Sequence, residues 1–177
     1  MFADHTPATA PTASRRLMEA TTAKLGYLPS AVARMAESPH LLDAFLKTSA
    51  MFEQTTLDPL AREVLIMTVA TRNGCHLCVA MHTAKLTALQ ADQPVITALR
   101  QGKPLDDDRL EAVRTFTIEV LDTAGQVSDE ALTNFTAQGF TAQNALEVVM
   151  GIGVYTMSTL ANRLIDAPVD EPLAAFA

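Results

Sequence analysis

Helix-start and helix-stop signals recur along the whole chain, and they constrain its fold more than any other feature. Pro29, Pro39 and Pro59 suit the first turn of a helix, and Asp58, Ser128 and Thr141 are short polar residues that cap one. Gly26, Gly74, Gly102 and Gly139 stand where glycine closes one. Between these marks the chain reads as helices over 14–24, 29–36, 59–72, about 75–90, 93–101, from just after Asp108 to Ala124 and from just after Thr141 to about Leu164. Another opens at Pro39, with Leu41, Leu42, Phe45, Leu46 and Ser49 in a helical stripe, and a short one follows Ser128. Composition agrees. Hydrophobic residues make up 49% and aromatics 5%, and the abundant Ala, Leu, Val and Met are not those of a β protein. The expected fold is an all-α helical bundle, one domain over residues 13–165. A Pro/Thr/Ala-rich segment 1–12 precedes it and is expected to be mobile. A Pro/Ala/acidic tail 166–177 follows and could reach across a neighbouring subunit.

Some details sharpen the expectation. Asp106, Asp107 and Asp108 suit a helix N-terminus rather than a metal site, and Asp108 with Glu111 has capping-box spacing. The last helix is apolar on all sides from Val148 to Met157 and should be buried, and Gly151 and Gly153 within it suggest the close approach of another backbone. Its start echoes an earlier segment, Ala61–Met67 against Ala145–Gly151, a weak internal repeat that sets Cys75 and Cys78 opposite Thr159 and Asn162. The net charge of −7 argues against nucleic acid and anionic membrane surfaces. The stretch Ala145–Met157 is too short to span a bilayer, and the N-terminus lacks a signal-peptide core. A cytoplasmic protein is the expectation, and there a C-x-x-C pair reads as catalytic or metal-binding rather than as a staple.

That pair is Cys75 and Cys78, the only cysteines. Gly74 ends one helix and the next starts near Cys75, so Cys75, Cys78 and His82 fall within roughly 60° on one helix face. The helix start favours thiolate over thiol. Bridging residues three apart adds little stability but is geometrically feasible. Glu63 shares a face with Ile66, Met67 and Ala70, which points inward, and a buried carboxylate can serve as a base. His82, one turn beyond Cys78, can share a proton with its sulfur or with a water beside it. His76 should face solvent. Tyr155 is a further candidate to line the site.

Glu63, Cys75, Cys78 and His82 spell E-x11-C-x2-C-x3-H. This resembles the active-site signature of the AhpD-like alkylhydroperoxidases of the carboxymuconolactone decarboxylase superfamily, and the upstream segment Leu28–Phe45 resembles that superfamily too. AhpD has a second histidine just before its second motif cysteine; here that position is Leu77, which leaves the shorter Glu63–His82 relay. The resemblance implies a homo-oligomer, a trimer or hexamer, and a thiol-dependent hydroperoxide reductase with Cys75, Cys78, His82 and Glu63 as catalytic residues. It also implies a dithiol reductant, dihydrolipoamide or a thioredoxin-like protein. No flavin, haem or nucleotide motif is present, so no cofactor is expected.

Other readings compete. The same four side chains could bind zinc, although three ligands along two turns of one helix reach poorly for a tetrahedron. A non-catalytic oligomeric scaffold would leave the four-residue pattern unexplained, and lactone decarboxylation needs no thiol pair. Between the sulfurs, the helix N-terminus favours Cys75 as the more acidic thiol, whereas His82 favours Cys78. Because a leaving oxygen needs a proton donor, Cys78 is the expected peroxide-reactive sulfur and Cys75 the resolving one.

Overall fold

The computed structural model describes residues 2–177. Helices begin where short polar side chains stand. Ser38, Asp58, Asp107 and Ser128 each accept the backbone N–H three residues on. Thr141 and Asn144 cap one another reciprocally. These bonds satisfy donors that a first helical turn leaves unpaired. The order is α1 (Thr12–Leu25), α2 (Ser30–Met35), α3 (Pro39–Phe52), α4 (Pro59–Arg72), α5 (His76–Ala88), α6 (Gln93–Gln101), α7 (Asp108–Asp122), α8 (Asp129–Ala137) and α9 (Ala142–Leu164). A 3-10 helix, Glu171–Phe176, closes the chain, and no strand occurs among the described residues. The all-α expectation holds. One cap moves: Asp107 starts α7, and Glu111 accepts the Leu105 N–H and pairs with Arg114 instead of completing a box with Asp108.

The centre of the bundle is α4. Every residue from Glu63 to Ala70 is buried, and the helix packs against α5, α6, α7 and α9. Its surroundings form the main core, with Phe52, Leu65, Leu86, Leu99, Val113 and Val154 among its members. A second apolar cluster joins α1, α2 and α3 to the end of α9 through Met18, Met35, Leu42 and Ile165. The N-terminal segment lies against α2: Asp4 pairs with Arg34, His5 bonds Glu37, and Ala10 is buried.

The expectation of a wholly buried α9 is corrected. One face packs on α4 and α3, but Leu146 and Leu164 are 73% and 72% exposed, and Val149 and Leu160 also face outward. Apolar side chains all round a helix do not by themselves say which neighbours it has. The two glycines separate in the same way. A Cβ on Gly151 would lie 2.7 Å from the ring of the fully buried Phe52 and 2.9 Å from Leu65, whereas Gly153 meets nothing within 4 Å. Gly151→Ala should therefore destabilise the fold by about 1–3 kcal/mol through overpacking. Gly153→Ala should stabilise it by about 0.5–1 kcal/mol, since it removes a flexible helix-interior glycine. Denaturant unfolding of the two variants checks the contrast, and equal effects would show that close approach at Gly151 is not limiting. The sequence echo between α4 and α9 also stops short of helix breaks: the first copy turns at Asn73-Gly74, while α9 runs straight through.

Candidate active site

The turn between α4 and α5 positions the first sulfur. Gly74 adopts a left-handed φ of 63°, which glycine takes without strain. Around it, the Cys75 N–H reaches back to the Ala70 carbonyl and the Gly74 N–H to Thr71, a two-bond helix ending. Cys75 thereby becomes the residue before the first turn of α5, and its sulfur accepts the Cys78 N–H at 3.4 Å, where a serine or aspartate would otherwise cap. Cys78 lies one turn in, and the two sulfurs are 2.7 Å apart. Both are free thiols and both are buried. Ala31, Ala70, Leu77 and, from the tail, Leu173 enclose them.

The tail holds this cover on its own chain. Asp170 accepts from the N–H and hydroxyl of Ser30 at the start of α2, and Arg100 donates to the carbonyls of Phe176 and Ala177. Cys75 also borders a cavity of about 290 Å3, lined by Gly74, His76, Asn162, Arg163 and Asp166. His76 is exposed there, as expected, and Leu77 is buried among the cysteines.

Glu63 and His82 meet across α4 and α5. The Glu63 carboxylate and His82 Nδ1 are 2.6 Å apart, and both residues are buried. Tyr155 from α9 sets its ring edge-on to the imidazole at 5.4 Å. Lys85, one turn after His82, lies 3.8 Å from the other Glu63 oxygen and 3.1 Å from Glu53. Burial alone would lower the Lys85 pKa, but Glu63 and its neighbours raise it, so this ammonium stays charged beside the buried carboxylate. Glu63 and Lys85 line a separate cleft of about 260 Å3. The sulfurs and the carboxylate thus open to different hollows.

The electrostatics of the reduced pair differ from the sequence-based assignment. The Cys78 thiol bonds to the Cys75 sulfur and, against burial, lowers the Cys75 pKa to about 7; the Cys78 N–H, Asn162 and the Arg163 guanidinium act in the same direction. The same hydrogen bond, together with burial, pushes Cys78 up. A negative charge is favoured on Cys75 over Cys78, because the Cys78 thiol, the backbone donor and the guanidinium all act on its side. Among the described residues no hydrogen bond joins His82 directly to Cys78.

The structure sets the four residues singled out from the sequence in two pairs, Glu63 with His82 and Cys75 with Cys78, and among the described residues no hydrogen bond links one pair to the other. It adds Lys85, Arg163 and Asn162. Asn162 donates its amide N–H to Cys78 Sγ at 3.2 Å. Only the weak repeat, which sets Asn162 opposite Cys78, hinted at it. Among the described residues, no cluster of three or more His, Cys, Asp or Glu side chains could hold a metal ion. No helix among them is long and apolar enough to cross a membrane.

Residues 36–117 match the model of the carboxymuconolactone decarboxylase family. No curated protein matches the sequence significantly. Among solved structures, the chain is similar to an alkylhydroperoxidase AhpD-core, peroxidase-related protein of Ralstonia eutropha JMP134. The TM-score is 0.84 at 19% identity, over 97% of this chain and 93% of that one. A peroxidase-related protein of Silicibacter sp. TM1040 follows, with TM-score 0.79 and 19% identity over 97% and 92%. The debrominase Bmp8 superposes with TM-score 0.78 at 15% identity, over 99% and 95%. At these identities the likeness is one of fold.

Proposed function

Residues 36–117 match the carboxymuconolactone decarboxylase family and the chain has the AhpD-like fold, and from that premise we propose that it is a member of that superfamily and a thiol-dependent hydroperoxide reductase. The observation that carries the reading is the paired sulfurs: a thiolate-forming Cys75 lies 2.7 Å from its partner, beside a buried Glu63–His82 pair. Such a pair can exchange protons with a reacting thiol without access to bulk water. In the proposed cycle the Cys75 thiolate attacks the terminal oxygen of a hydroperoxide. The O–O bond breaks, Cys75 becomes a sulfenic acid, and the leaving alkoxide takes the Cys78 proton. Cys78, now a thiolate, attacks the Cys75 sulfur and forms the disulfide. The departing hydroxide leaves as water after taking up the proton that Cys75 released on ionising, held meanwhile on His82 with Glu63 as its counter-charge and passed directly or through a water. A dithiol such as dihydrolipoamide, or a thioredoxin-like protein, then exchanges with the disulfide and restores both thiols.

The test is stoichiometric. One equivalent of hydroperoxide should consume both thiols of each chain and yield an intramolecular disulfide, read by thiol titration and intact mass. Two unreacted thiols under excess hydroperoxide would overturn the reading. The superposition on a debrominase means that the fold alone does not choose the reaction. The peroxide reading is preferred because His82, four residues after Cys78 on the same helix, is held by the buried Glu63 carboxylate.

The outward face of α9 supports self-association into the trimer or hexamer that the resemblance implies. Leu146, Val149, Leu160 and Leu164 lie exposed at helical spacing, and such a stripe favours burial against another subunit. Leu160→Glu is expected to lower the mass seen by light scattering to that of a smaller species. An unchanged mass would place any interface elsewhere.

A further inference from the structure

We propose that Asn162 is the residue that selects and orients the substrate, and that it makes the site specific for peroxides carrying an O–H on the oxygen attacked. The proposal rests on the hydroperoxide reading and adds the group that recognises that class. Asn162 is 6% exposed and projects from α9 against the sulfur pair. Its amide N–H donates to Cys78 Sγ at 3.2 Å, and the amide favours the thiolate form of both cysteines. Its Oδ1 is buried and has no hydrogen-bond partner among the described residues. A buried carbonyl acceptor without a partner costs about 1–3 kcal/mol, so such a group is kept where something else fills the bond. Asn162 lines the cavity that Cys75 borders, together with Arg163 and Asp166. What enters that cavity to meet Cys75 therefore lies against the residue that carries the unpaired acceptor.

A hydroperoxide fits this arrangement chemically. Its terminal oxygen is both the electrophile that the thiolate attacks and the bearer of the only hydrogen-bond donor in the O–O unit. Donation of that O–H to Asn162 Oδ1 holds the terminal oxygen at the sulfur pair and leaves the alkoxy oxygen free to depart with the Cys78 proton. The same O–H stays on the oxygen as it becomes part of the sulfenic acid, so the bond survives the transfer and holds the S–O–H group for attack by Cys78. An oxidant without a donor gains nothing from Oδ1. The amide thus does two separable things: its N–H supports the thiolate and its carbonyl reads the substrate.

The experiment separates them by comparing two oxidants of the reduced full-length protein, tert-butyl hydroperoxide, which has the O–H, and diamide, which does not. Second-order rate constants for disulfide formation are measured across roughly pH 6 to 9.5. The plateau at high pH compares fully ionised thiols and removes any change in sulfur pKa. For Asn162→Leu the plateau with tert-butyl hydroperoxide should fall by about 10- to 100-fold, the scale of one lost buried hydrogen bond, while the plateau with diamide stays within about threefold of the parent. The midpoint of both profiles should move to higher pH, because the amide donor is gone. Asn162→Ser, smaller and polar, should give the same ratio and serves if the leucine variant does not fold. Equal losses with both oxidants, or no loss with either, would overturn the role of Asn162. A parent protein that reacts with diamide but not with the hydroperoxide would instead overturn the hydroperoxide reading itself, and the substrate assignment with it.

Discussion

Glu63→Gln is expected to lower turnover with a hydroperoxide and a dithiol by roughly 10²-fold or more, the usual scale for loss of a general base, while far-UV circular dichroism stays that of the parent. Glutamine keeps the shape of the side chain and can still accept a hydrogen bond from His82 Nδ1, now 2.6 Å from the carboxylate. It cannot balance an imidazolium. In the proposed cycle His82 takes up a proton and gives it back, and in a buried site a cation without a counter-charge is strongly disfavoured. Lys85, 3.8 Å from the same carboxylate, makes the loss worse, because its ammonium would then face His82 with Glu53 as its only carboxylate partner. Unchanged turnover at neutral pH in a folded variant would show that Glu63 is only structural.

The second large effect distinguishes the two sulfurs. Cys78→Ser should still react with hydroperoxide and accumulate a sulfenic acid at Cys75 that a dimedone-type trap captures. Serine keeps a hydroxyl to donate to the Cys75 sulfur but cannot resolve the product. Cys75→Ser should react slowly, because the remaining thiol is buried and stripped of its thiolate-stabilising geometry. In the parent protein, alkylation should rise with pH through about 7, the value at Cys75, rather than near 8.5 as for an ordinary thiol. The sign follows from the chemistry: the thiolate is the nucleophile, and it forms as pH climbs past the pKa. This reverses the roles that helix spacing suggested. If the readily trapped adduct forms in Cys75→Ser instead, Cys78 is the attacking sulfur and the pull of His82 outweighs that of the α5 N-terminus.

The two proposed assignments of the sulfurs differ for a physical reason. His82 stands four residues after Cys78, and spacing alone makes it that sulfur's natural partner. In the folded chain its Nδ1 is committed to Glu63, a residue on another helix. The groups that lower the Cys75 pKa, the Cys78 thiol first and then the Cys78 N–H, the Asn162 amide and the Arg163 guanidinium, include two from α9. Asn162 and Lys85 escaped notice for a similar reason. An asparagine in a long helix and a lysine in a helix's last turns are ordinary residues until a neighbour is set against them. Glu147 is a third case. In sequence it only interrupts an apolar run. In the structure it is buried, and the N–H groups of Thr56 and Leu57, the Thr56 hydroxyl and two side-chain amides hold its carboxyl below the usual range, against the burial that would raise it.

By itself the sequence determined what depends on near neighbours along the chain. Caps such as Asp58 and Thr141, the Gly74 turn, the helix periods and the placing of Cys75 and Cys78 one turn apart all follow from interactions within a few residues, whose geometry the backbone dictates. The helical class and the Cys75–Cys78 spacing were readable on those grounds. The tertiary structure alone decided which face of α9 meets water, why Gly151 and not Gly153 is confined, where the tail folds, and which groups surround each sulfur. Each of these is set by groups far apart in sequence and close in space. Burial, Coulomb interactions and hydrogen bonds depend on distance through the folded protein, and that distance comes into being only when the helices pack.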